Sequence, residues 1–223
     1  MVANGRYSVG VVEVIDLKSE KNCSSLPDYP IRVTFASGAL LEGSPVICGG
    51  RNGSNYDHDE CYIYNASTNE WELLARIKNP RSFYASVIVN NALWITGGFY
   101  DPYGLDSSEY VFPNGTVTQG PTLTAPIRRH CIVQLLDGKM MILGGDHPNQ
   151  KRIYIYDFNK DNNKVSFGPD LVNWRMHSAC TVFTSKKHDG RPVVMVAGGW
   201  EVGDGTYEML DYTKDGAVWE LSE

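Results

Sequence analysis

The stretch Tyr-Asp-His-Asp-Glu places Asp57, His58, Asp59 and Glu60 side by side in one polar segment. Carboxylate and imidazole groups at that density are the raw material of a cation site, because hard cations need several oxygen ligands from one loop. A solvated acidic loop explains the same residues and is the preferred reading. Asp146 and His147 in Gly-Gly-Asp-His-Pro make only a lone pair, short of a metal-ligand set. His130 and His177 each follow an arginine and read as features of a repeat. No Gly-rich phosphate loop is found, and no Ser-His-Asp order stands out among the many loop serines. The expectation is therefore no metal, no cofactor and no catalytic residue.

The elements that carry these residues repeat along the chain. Diglycines close four apolar runs, at Gly49–Gly50, Gly97–Gly98, Gly144–Gly145 and Gly198–Gly199. Successive pairs are 48, 47 and 54 residues apart. Each unit shows a run ending in a turn, a second run ending at the diglycine, a polar loop, a third run, a turn and a fourth run. An arginine recurs at each unit boundary: Arg32, Arg81, Arg129 and Arg175. Met1 to Gly5 reads as the tail of a further, degraded copy. Four short turn-bounded strands per unit of roughly 47 residues are the signature of a propeller blade. The expected fold is all-β: four complete blades, at 32–80, 81–128, 129–174 and 175–223, plus a partial N-terminal blade at 1–31 lacking its first strand. An open ring of this kind would expose strand edges and invite self-association.

These residues resemble the kelch repeat of the galactose-oxidase/kelch propeller superfamily. The likeness rests on the diglycine after the second strand, an aromatic-Asx pair in the third, and a tryptophan several residues on. Cys-Gly-Gly followed by Cys-Tyr-Ile-Tyr-Asn and Trp-Glu-Leu-Leu is the best copy, with Gly49, Gly50, Tyr64 and Trp71 on the pattern. Tyr156 and Trp219 match in other copies, while Phe112 and Leu210 stand in for the tyrosine. Glycine allows a left-handed corner and close backbone approach; the aromatics supply area between blades. The motif is thus read as structural. The resemblance implies a module that binds a protein or peptide partner without catalysis. Kelch propellers also include copper oxidases and iron-dependent enzymes acting on sugar derivatives, but neither a Tyr/His copper set nor a Glu/Asp/His triplet can be placed here. A further alternative is a piece of a larger kelch protein, such as a substrate adaptor of a ubiquitin ligase.

A net charge of −6 argues against a nucleic-acid partner held through phosphate contacts. No apolar run of 18 residues is present, so no membrane helix is expected. The five cysteines are an odd number. Cys48 and Cys61 fall on neighbouring antiparallel strands, where a disulfide is geometrically credible. Cys131 and Cys180 lie in the first strands of successive blades and read as core fillers; Cys23 sits where one unit would carry its tryptophan. Sequons occur at Asn22, Asn52, Asn65 and Asn114, all in expected loops or strand ends. With the candidate disulfide they lean toward an extracellular or secretory setting, the cytoplasm being the alternative.

The second-to-third strand connections should emerge at one end of the blades. They carry Tyr56, Tyr100, Tyr103 and Trp200, residue types enriched at interface hot spots, with Arg81, Arg129 and Arg175 expected nearby. These seven are the candidate partner contacts. For the arginines, a role inside the blade competes with that reading.

Overall fold

The computed structural model describes residues 2–3, 12–13, 26–146, 150–158, 164–200 and 206–221. Asn22, Cys23 and His147 lie outside them. The chain falls into two units, Met1–Thr124 and Ala125–Glu223. In the first, β1 (Val2–Ala3) pairs with β2 (Val12–Glu13). A four-stranded sheet follows: β3 (Ser37–Leu41), β4 (Ser44–Cys48), β5 (Glu60–Asn65) and β6 (Glu70–Arg76). The next sheet is β7 (Ala85–Val89), β8 (Ala92–Thr96), β11 (Ser108–Val111) and β12 (Val117–Gln119). A two-stranded hairpin, β9 (Phe99–Tyr100) and β10 (Tyr103–Gly104), is inserted between its second and third strands. The second unit holds β13 (Cys131–Gln134), β14 (Met140–Leu143), β15 (Tyr154–Asp157) and β16 (Lys164–Phe167). It ends with β17 (Ala179–Ser185), β18 (Arg191–Ala197), β19 (Tyr207–Leu210) and β20 (Glu220–Leu221). Each sheet is an antiparallel meander in chain order, the pairing that short connections impose.

The diglycines form the corners after the second strands. All eight residues have positive φ, from 53° at Gly49 to 107° at Gly199, which side chains other than glycine rarely adopt. The corner is also crowded. A Cβ on Gly144 would sit 2.4 Å from the carbonyl oxygen of Arg175, and one on Gly49 2.6 Å from that of Arg81. Those same carbonyls accept hydrogen bonds from Gly145 and Gly50 at 2.7 and 2.8 Å. Within each unit the motif therefore ties one blade to the start of the next.

Apolar faces of neighbouring sheets meet within each unit. Leu41, Val46, Cys48 and Cys61 of one sheet pack with Leu93, Ile95 and Val111 of the next. In the second unit Val133, Met141, Leu143 and Ile153 pack with Val194, Val196, Leu210 and Trp219. The fourth-strand tryptophans also hold backbone: Trp71 Nε1 donates to the carbonyl of Pro27 at 3.0 Å, and Trp219 Nε1 to that of Pro169 at 2.9 Å. Tyr64 lies against Trp71, with ring centroids 5.7 Å apart. Tyr156 is buried, and register places Tyr64, Val111, Tyr156 and Leu210 at equivalent points. The third-sequence tyrosine is thus replaced in the second blade by Val111 rather than Phe112.

Both cysteine pairs are bonded. Cys48 and Cys61 face each other across β4 and β5 with Cα atoms 3.9 Å apart. Cys131 and Cys180 join β13 to β17 across a Cα separation of 6.0 Å. Reading the latter pair as core fillers was incorrect. First strands of adjacent blades run beside each other, so residues 49 apart become neighbours. The first unit shows the same juxtaposition without sulfur: Ser37 Oγ and Ser86 Oγ occupy the matching positions and are 2.8 Å apart.

Three tyrosines make the stability sensitive to alkali. Tyr29 donates its hydroxyl to the carbonyl of Ile47 at 3.0 Å, and Tyr84 donates to that of Ser37 at 2.7 Å. Burial pushes both hydroxyls far above their ordinary value of 10.0, and Tyr110 up to about 12. Above pH 10 the unfolded chain loses these protons while the folded chain keeps them, so stability must fall as pH rises. The expected slope is about 1.4 kcal/mol per pH unit for each of the two buried tyrosines, Tyr29 and Tyr84, with a smaller, solvent-screened share from Tyr110. Urea midpoints at pH 8 and 11 check it; equal midpoints would exclude it.

Candidate functional site

The loop between β4 and β5 is built around Asp57. Its buried carboxylate receives a bidentate clamp from Arg51, Nε to Oδ1 at 2.8 Å and Nη2 to Oδ2 at 2.6 Å. Ser82 Oγ donates to Oδ1 at 2.7 Å, and the backbone N–H of Asp101 donates to Oδ2 at 3.3 Å. One carboxylate thereby fixes the loop of the first sheet to that of the second. The Arg51 guanidinium lies 4.8 Å from the centroid of the Phe99 ring, within cation–π range. The remaining acidic groups are also paired: His58 Nδ1 lies 3.1 Å from Glu60 Oε2, and Arg76 Nη1 reaches Asp59 and Glu60 at 2.7 and 3.2 Å. The stretch is an ion-pair lattice rather than a freely solvated acidic loop. Among the described residues no group of three or more His, Cys, Asp or Glu side chains is placed to hold a metal.

On this lattice stand the aromatics. Tyr56, Tyr100 and Tyr103 are 58, 46 and 71% exposed. Tyr100 and Tyr103 are direct cross-strand partners in the β9–β10 hairpin, so their side chains share one face. Phe35 stacks on Phe83, ring centroids 3.9 Å apart, and is itself partly exposed. In the second unit Trp200 is 67% exposed and its ring meets that of His177 edge-on at 6.4 Å. Arg128 and Arg129 converge on Asp146 there, at 2.8 and 3.4 Å. Burial, then the charge of Arg129, lowers the His177 pKa below its ordinary value.

The expected arginines divide. Arg129 lies at this end, half-buried. Arg81 and Arg175 are fully buried and cannot meet a partner in the folded chain. Arg81 Nη2 pairs with Glu109 at 2.6 Å and its Nη1 donates to the carbonyl of Gly97 at 2.7 Å. Arg175 Nε pairs with Glu208 at 2.8 Å and its Nη1 donates to the carbonyl of Gly198 at 2.8 Å. Strand register explains the split. Arg81 and Arg175 are equivalent, whereas Arg129 stands two positions further on, level with Phe35, Phe83 and His177. His130 and His177 are accordingly offset by one residue and are not a repeated pair.

That last position holds residues invisible to pattern reading. Phe35, Phe83, Arg129 and His177 all have positive φ, between 56° and 60°, a conformation uncommon and costly for side chains of this size. The N–H of Phe83 donates to the carbonyl of Phe35 at 3.0 Å, and that of His177 to Arg129 at 2.8 Å. Three residue types are thus held in the same left-handed state at the loop-bearing end of the four sheets.

Four-stranded meanders with diglycine corners, two of them anchored by a tryptophan, are blades of a kelch-type β-propeller, and the sequence is similar to kelch-repeat proteins. No family model matches it. It is 29% identical over 147 residues to Kelch-like protein 33 of Homo sapiens, covering 63% of this chain and 26% of the relative. An F-box/kelch-repeat protein of Arabidopsis thaliana is 27% identical over 215 residues, covering 84% of this chain and 56% of that one. The chain thus spans between a quarter and somewhat over half of these relatives. The solved structure of YjhT superposes with a TM-score of 0.66 at 11% identity, over 95% of this chain and 97% of that one.

Proposed function

We propose that the chain is a protein-interaction module that meets its partner through the connections between second and third strands and the left-handed residues beside them. The observation carrying this reading is three solvent-facing tyrosines beside the Asp57 lattice, which binds the backbone N–H of Asp101 next to Tyr100, itself paired with Tyr103 across the hairpin. Rigid exposed aromatics lose little entropy on binding and supply large contact area. Kelch relatives act in protein interaction, which agrees with the reading. In the second unit, taken by itself, Arg129 and Trp200 are the corresponding candidates; Arg81 and Arg175 would act only through the fold. Bond chemistry has no part in the proposal.

The test is affinity capture from the source tissue with Tyr100→Ala/Tyr103→Ala beside wild type and Leu40→Ala. Leu40 is exposed but lies next to the β3–β4 turn, at the other end of its sheet. The double variant should lose its partner by at least about tenfold in affinity, the effect of one truncated hot spot. Equal capture by all three proteins would refute the assignment.

A further inference from the structure

We propose that the protein is an N-glycoprotein of an oxidising compartment, carrying glycans on Asn52, Asn65 and Asn114. Two separate sets of residues support this. The first is the cysteines. Four of the five in the chain are joined in two pairs, Cys48–Cys61 and Cys131–Cys180. One pair staples neighbouring strands of a single sheet and the other staples neighbouring sheets. Thiols in a reducing cytosol stay unpaired, whereas secretory and extracellular proteins keep such bridges. Each bridge forms by loss of two protons and two electrons from two thiols, taken up by a protein disulfide that becomes a dithiol. The matching Ser37–Ser86 contact shows that the fold accepts a hydroxyl pair at the interblade position. Sulfur there is therefore an addition suited to oxidation rather than a demand of packing.

The second set is the sequons. All three described ones lie at turns or loops: Asn52 between β4 and β5, Asn65 at the end of β5, Asn114 between β11 and β12. Each repeats one local geometry. The asparagine Oδ1 accepts the backbone N–H of the hydroxyl residue two positions on: Ser54 at 2.9 Å, Ser67 at 2.9 Å and Thr116 at 3.0 Å. All three hydroxyl residues are exposed, as is Asn114 itself. With Oδ1 engaged in this way, the amide nitrogen is the end left to react. At Asn65, Nδ2 donates to Glu72 Oε1 at 2.7 Å, and a glycosylated amide keeps one hydrogen for that bond. Transfer forms the bond from Nδ2 to the anomeric carbon of a lipid-pyrophosphate-linked oligosaccharide. The anomeric C–O bond breaks, the lipid pyrophosphate leaves, and one amide proton passes to a base. Asn52 also accepts the N–H of Tyr56 at 3.0 Å, so its glycan would stand beside the proposed partner-binding aromatics. Asn65 and Asn114 sit at the opposite ends of their sheets and would leave those aromatics open.

The experiment uses the protein isolated from its own cells, lysed in iodoacetamide without reductant. Intact mass and peptide maps are taken before and after peptide N-glycosidase treatment. The proposal predicts that Cys48, Cys61, Cys131 and Cys180 escape alkylation until reduced. It also predicts that the glycosidase lowers the mass and converts Asn52, Asn65 and Asn114 to aspartate. Alkylation of those four cysteines overturns it, and so does an unchanged mass. Asn114→Gln, expressed in the same cells, should lose one glycan while keeping both bridges; an unaltered glycan mass would remove Asn114 from the set. None of these readouts depends on the partner-binding assignment.

Discussion

Glu208→Gln is expected to destabilise the protein by about 3–5 kcal/mol, the range for breaking a buried ion pair on one side. Arg175 and Glu208 are both wholly removed from water. The guanidinium spends its donors on Glu208, the carbonyls of Gly198 and Thr206, and the Thr206 hydroxyl. The carboxylate accepts in addition the N–H groups of Val172 and Asn173, at 2.7 and 3.1 Å. Neutralising the acid strands a charge that cannot reach solvent. Arg81 and Glu109 repeat the arrangement, with Lys78 and Asn79 as the backbone donors. The intervening blades show the alternative. At the equivalent positions they carry Val33 with Tyr62 and Ile127 with Tyr154. Arg175→Ile/Glu208→Tyr should therefore recover most of the loss, because an apolar replacement of both partners removes the stranded charge. Urea denaturation of the single and double variants measures this. A single variant within about 1 kcal/mol of wild type would show that the pair contributes little.

Cys131→Ser/Cys180→Ser should cost about 4 kcal/mol, the chain-entropy value for a bridge spanning 49 residues. Cys48→Ser/Cys61→Ser should cost less, about 3 kcal/mol, because its loop spans 13 residues. The first double variant should still fold, since Ser37 and Ser86 already occupy the matching place as a hydrogen-bonded pair. Thermal melts of both variants under oxidising conditions test the order. If the longer-loop variant melted with wild type, the interblade bridge would have no part in stability.

The architecture was largely legible in the sequence, because its determinants are local. A diglycine corner, a two-residue turn and an apolar run each act over a few residues, so counting from Gly50, Gly98, Gly145 and Gly199 locates every second strand. What escaped depends on register. The recurrent arginines look alike by type, but Arg129 is two positions past the place of Arg81 and Arg175, which exchanges a buried ion pair for a half-exposed loop site. Cys131 and Cys180 meet only because adjacent blades align their first strands. A search for cysteines one repeat apart would have found them. Asp57 read as one acid among several, since its burial depends on Arg51, Ser82 and Asp101 arriving from three segments. Nothing in the residue types of Phe35, Phe83, Arg129 and His177 announces a shared left-handed backbone. The exposure of the loop aromatics was legible, because they fall in long polar connections.

The loop-bearing end is proposed to meet a protein. A photo-crosslinking residue at position 103, compared with one at position 40, tests it most directly in the source cells. A discrete crosslinked protein is expected from position 103, absent from position 40 and lost when Asp57→Ala dismantles the supporting lattice. Crosslinks of equal yield from both positions, or from position 40 alone, would contradict it.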